Sequence, residues 1–164
     1  MTGQIDNLVA RAVAVIGLAG VALIHLLDAP GTFAGAPHKG WLYVALIVGS
    51  LGAAGALVRD DDRRAWTAAT VLSLGAMVAF VLSRTVGLPQ GADDIGNWTE
   101  PLGLASLFVE GCLVALSAVA LRSLAGRRAS APRAAAGRAV PAAPARRGRT
   151  RPQAPARAAE GRAS

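Results

Sequence analysis

Cysteine is almost missing from this chain of 164 residues: Cys112 stands alone, and no CxxC pair occurs. An intrachain disulfide is therefore excluded, and thiol redox chemistry or a Cys-rich metal site has no ligands to use. Charge is scarce as well. Only 16% of the residues are charged, against about 25% in an ordinary soluble domain. Histidine occurs twice, at His25 and His38, and only His25 lies in an apolar run. A bis-His haem within the membrane therefore lacks its second ligand. The period-2 alternation of an outer-membrane barrel is absent. So are a phosphate loop, a nucleophile elbow and a zinc-protease motif. Nothing in the motifs speaks for an enzyme or for a bound cofactor.

What the chain has in quantity is apolar sequence. Hydrophobic residues make up 53%, and the mean hydropathy is +0.43. A helix needs about 20 mainly apolar residues to cross the hydrocarbon core. Four stretches satisfy this, at about residues 8–27, 40–58, 65–83 and 102–121. Backbone groups in lipid must be satisfied within the segment, so the spans are expected as helices. The fold class that follows is an all-α, integral membrane four-helix bundle over residues 1–125, with a lipid bilayer as its solvent.

Charge placement gives an orientation. The connection "RDDDRR" holds three Arg, while the segments 28–39 and 84–101 hold one basic residue each. Cytoplasmic loops collect Lys and Arg. The 59–64 loop and both termini are thus expected on the cytoplasmic side of a plasma membrane. Trp41, Trp66 and Trp98 each fall at a span end, where amphipathic rings favour the interface. A small-residue "AGA" at 34–36 also matches a signal-peptide cleavage pattern, but the apolar run before it is long and contains Gly and His.

Of the 17 basic residues, 11 lie from Arg122 onward. The stretch 126–164 is rich in Arg, Ala and Pro and has almost nothing to bury, so it is expected to be a disordered cytoplasmic tail. Beside a membrane such a tail attracts anionic lipid headgroups, at ~1 kcal/mol per Lys or Arg near the surface. No aromatic platform accompanies the charge, which argues against nucleic acid.

Three residues stand out within the spans. Glu110 lies ~18 Å up the fourth helix from Arg122 at 1.5 Å per residue. An ionisable group at that depth is costly and faces the bundle or a cavity. It shares a helix face with Gly103, Ser106 and Ser117, the small and hydroxyl residues that let membrane helices pack closely. His25 sits ~21 Å from Arg11 by the same rise, with Asp28 at i+3. Arg84 ends the third span. A polar intramembrane cluster of His25, Arg84 and Glu110 is the simplest way to pair these groups. Two roles stay open for Glu110: interhelical glue, or a titrating site for a proton, an ion or a ligand. Asp28, His38, Asp93, Asp94 and Glu100 make the outer face acidic and imidazole-bearing. Such side chains suit zinc or copper(II), although their spacing matches no metal motif.

Local chemistry accounts for several other residues. "TEPLG" reads as a helix start, with Thr99 at the cap, Glu100 favouring the dipole and Pro101 tolerated in the first turn. Gly49, Gly52 and Gly55, with Ala53 and Ala56, form a small-residue surface on the second span.

The four-span body with "SRTVGLP", "NWTEPLG" and "LFVEG" resembles small multi-pass membrane proteins of high-GC actinomycetes over about residues 10–122. That resemblance implies a membrane bundle and carries no activity. The expected function is a non-enzymatic membrane protein: an accessory subunit of an oligomer or larger complex, or a binder at the outer face. A small proton- or ion-coupled transporter using Glu110 is the alternative, and a membrane redox protein the third.

Overall fold

The computed structural model describes residues 2–60, 62–89 and 91–137. Four helices carry the chain: α1 (Thr2–Gly35), α2 (Pro37–Arg59), α3 (Arg63–Thr85) and α4 (Pro101–Gly137). A short 3-10 turn, Ala92–Asp94, lies between α3 and α4. All four helices contain stretches long and apolar enough to cross a membrane: Asp6–Gly35, Pro37–Arg59, Arg63–Thr85 and Pro101–Arg127. They pack in the cyclic order α1–α2–α3–α4, with α4 closing against α1. The protein is a multi-pass membrane bundle. The start of α1, the α2–α3 link and the far end of α4 lie at one end, called here the terminal end. The α1–α2 turn and residues 86–100 lie at the other, the loop end.

The loop expected over 28–39 is helical except at Ala36. Pro37 starts α2 at the position where a missing N–H is unneeded, so α1 can run to Gly35 and reverse over one residue. Ala36 leaves the helix at φ −149°, ψ 87°. Its N–H donates to the Thr32 carbonyl at 2.8 Å, and its carbonyl accepts from Lys39 at 2.9 Å. The turn closes on Gly40, where a Cβ would come within 2.5 Å of the Phe33 ring. At the other end of the chain, α4 outlasts its expected span and reaches Gly137. The rest of the basic tail, 138–164, lies outside the described residues.

Little of each span is buried, between 22% and 28% of its most apolar window. Ile16, Val48 and Phe108 point outward, at 65–73% exposure, which in a bilayer is lipid contact. Association of such helices relies on close packing, not on an apolar contrast with the solvent. The core agrees: Ala14, Ala53, Ala54, Ala65 and Ala69 are buried around Leu18, Leu57 and Leu113. The small-residue surface expected on α2 is divided. Gly49 lies under Leu72, with a Cβ there 2.9 Å from it, whereas Gly52 and Gly55 face open space.

Of the three tryptophans at span ends, Trp41 and Trp98 are 67% and 43% exposed, as a place at the interface requires. Trp66 corrects the expectation. Trp66 is 0% exposed and belongs to the core cluster with Leu57 and Leu113, because α3 packs between α2 and α4. Beside it, Arg11 ties α1 to the end of α2. Its Nε donates to the Leu57 carbonyl at 2.8 Å, and Nη2 donates to Leu57 and Val58, the latter at 2.8 Å. These are carbonyls of the last helical turn, which have no partner within the helix.

Candidate functional site

At the loop end the four helices part around a cavity of about 740 Å³. This lies within the ~300–1,000 Å³ usual for small-molecule sites. Its walls mix apolar side chains, such as Leu46, Leu72 and Leu102, with nearly all the charged groups of that end.

Arg84 organises the rim. Although 6% exposed, it is held on three sides. Nη1 reaches Asp94 Oδ1 at 2.8 Å, Nη2 pairs with Glu100, and the guanidinium lies 4.8 Å above the centre of the Phe80 ring. Lys39 Nζ takes the second Asp94 oxygen at 2.7 Å. Burial alone would raise the Asp94 carboxyl. The hydrogen bond and charge of Lys39, joined by Arg84, outweigh burial and hold it below its ordinary value of 3.8. The backbone fixes this geometry. The Gly96 N–H donates to the Arg84 carbonyl at 2.9 Å, and Gly87 and Gly96 take φ of 78° and 79°, which side-chain-bearing residues adopt only with strain. Residues 86–100 thereby fold back over the end of α3.

Glu100 serves two elements. Its carbonyl accepts from the Leu104 N–H at 3.0 Å, which gives it the N-cap position expected for Thr99. Its carboxylate turns to Arg84.

A second group lies on α1 and α2. The Tyr43 hydroxyl donates to Asp28 Oδ2 at 2.9 Å, and Thr32 Oγ1 approaches the same oxygen at 3.4 Å. The His25 ring meets Tyr43 edge-on at 4.7 Å. Nδ1 of His25 lies 2.9 Å from the Val21 carbonyl. A carbonyl only accepts, so Nδ1 carries a proton and donates it to Val21. Deeper in the cavity lies Glu110, 1% exposed, accepting a hydrogen bond from Ser106 Oγ at 2.7 Å.

His25, Arg84 and Glu110 thus line one cavity with Asp28, Asp94 and Glu100. Their pairing differs from the expected one. Arg84 binds the two rim carboxylates, and Glu110 is served from its own helix. Of the other outer-face candidates, His38 is exposed away from the lining, and Asp93 shares the Ala92–Asp94 turn. Among the described residues no three His, Cys, Asp or Glu gather as metal ligands.

Sequence reasoning missed Tyr43, Thr32 and Lys39. Two signals were present: the only tyrosine and the only lysine of the chain both fall in the first turns of an apolar helix. No protein-family model, curated protein or solved structure matches the chain.

Proposed function

We propose that the protein is a membrane-embedded binder of a small molecule, which enters at the loop end and lodges among the four helices. The cavity carries this reading. It is large enough for an organic ligand, it is mainly apolar, and a few convergent polar groups line it, the usual make-up of a ligand site. The arginines around the 60–62 link favour a cytoplasmic terminal end and therefore a mouth at the outer face. The Arg-rich tail would then meet anionic headgroups of the inner leaflet.

Gly75 lines the cavity and has open space where a Cβ would stand. Gly75→Phe starts from a Cβ with room around it and should place its ring in the site. Native mass spectrometry of the chain extracted from its membrane should show a non-covalent adduct, and Gly75→Phe should lose it. Bare protein in both cases would defeat this reading.

The burial of Glu110 against the cavity favours a second reading, a proton- or ion-coupled carrier. In liposomes holding a pH-sensitive dye, that reading expects substrate-dependent proton flux that Glu110→Gln removes. Equal flux in the two proteins would reject it.

A further inference from the structure

The cavity has an unbalanced charge, and the imbalance indicates what it binds. Four carboxyl groups line it, Asp28, Asp94, Glu100 and Glu110, against two side-chain cations, Lys39 and Arg84. The two cations are already used: among the described residues, the three ion pairs at this end join them to Asp94 and Glu100. Asp28 and Glu110 are left with neutral partners only. Asp28 accepts from Tyr43 and Thr32, and Glu110 accepts from Ser106. Neither makes an ion pair among the described residues. Glu110 is buried and Asp28 half-buried. A buried carboxyl without a counter-charge takes up either a proton or a cation, and a cleft with excess charge of one sign concentrates ions of the other.

The remaining chemistry selects the kind of cation. No cluster of metal-ligating side chains is present among the described residues, and Ile24, Leu42, Leu46, Leu72 and Leu102 give the lining a large apolar share. Tyr43 offers an aromatic ring beside Asp28, and such faces attract organic cations within about 6 Å. We propose that the cavity takes a hydrophobic organic cation, an amine or quaternary onium group on an apolar body, with its charge held by Asp28 and Glu110. This rests on the ligand-binding reading above and deepens it. The ion pairs of the rim offset the charges of Lys39 and Arg84 in advance, although Arg84 Nε keeps no hydrogen-bond partner, so neither repels the incoming charge at full strength.

Tetraphenylphosphonium and tetraphenylborate, close in shape and opposite in charge, form the test, with triphenylphosphine oxide as a neutral comparator. Each is dialysed to equilibrium against the full chain in phosphatidylcholine nanodiscs, with empty discs subtracted. The phosphonium should bind at one per chain, the borate not at all, and the neutral compound at least tenfold more weakly. Asp28→Asn and Glu110→Gln should each weaken phosphonium binding at least tenfold and leave the neutral compound unchanged. Asp28→Glu should restore the cation, which separates lost charge from lost fold. Gly75→Phe should exclude both the phosphonium and the neutral compound. Neutral and cationic probes binding alike, both lost in Gly75→Phe, would overturn the cation assignment while the cavity remained a binding site. Phosphonium binding that survives Gly75→Phe would overturn it too, by placing the probe elsewhere. A native adduct in the mass spectrum together with no binding of any probe would reject the cationic class alone.

Discussion

Single side chains at the loop end differ in what their removal should cost. Glu110 has one hydrogen bond, from a serine one turn away. Glu110→Gln keeps an acceptor for Ser106 and should leave thermal stability in detergent nearly unchanged. Glu110→Leu removes the acceptor and should cost about 1 kcal/mol, the usual net contribution of a single hydrogen bond. A loss several times larger would mean that Glu110 holds more of the bundle than Ser106. Asp94 acts through charge. Its carboxyl is held below 3.8 by Lys39 and Arg84, so its contribution is complete above that ordinary value and fades as pH falls through the lower folded value. The melting temperature should therefore be level from pH 7 to 5 with respect to this group and fall below about pH 4, with Asp94→Asn flattening part of the fall. The group is one-third exposed, so solvent screening keeps the effect small.

Two junctions set how the helices meet. In the α1–α2 turn the Phe33 ring lies on Gly40, and any larger residue would displace it. Gly40→Leu should lower the melting temperature clearly, while Gly52→Leu, with open space beside it, should change it little. Similar losses at both positions would mean that propensity, not the Phe33 contact, sets the effect. At the terminal end, Arg11 satisfies the last carbonyls of α2. Hydrogen bonds from a charged donor contribute roughly 1.5–3 kcal/mol, so Arg11→Leu should destabilise by about that amount in an unfolding titration, and Arg11→Lys by less. The helices themselves were legible because hydropathy over 20 residues is a summed signal. The junctions were not, because Ala36, Gly40 and Phe33 show their roles only once they are in contact.

For the whole molecule, a cytoplasmic terminal end makes a definite expectation. In a Cys112→Ala background, His38→Cys and Ile95→Cys should react with an impermeant thiol reagent on intact cells, and Asp60→Cys should not. All three positions are exposed, so access in the folded bundle is not in question, and the reverse labelling pattern would invert the orientation.

The sequence by itself determined the class: four apolar helices, an even number of crossings, and a small set of ionisable residues placed near one end. Each of these follows from composition along a single helix, which the bilayer reads one residue at a time. It also put Glu110 inside the bundle, because a carboxyl at that depth has few other places to be. Only the tertiary structure decided the pairing. Arg84 turned to Asp94 and Glu100, which the 86–100 segment folds back to supply, and Trp66 turned inward where its position alone suggested the interface. Partner choice depends on the rotation of each helix about its axis and on a loop held by Gly87 and Gly96. Both are set by packing between segments far apart in the chain, so the cavity, and the two carboxyls within it that no cation balances among the described residues, exist only once all four helices have met.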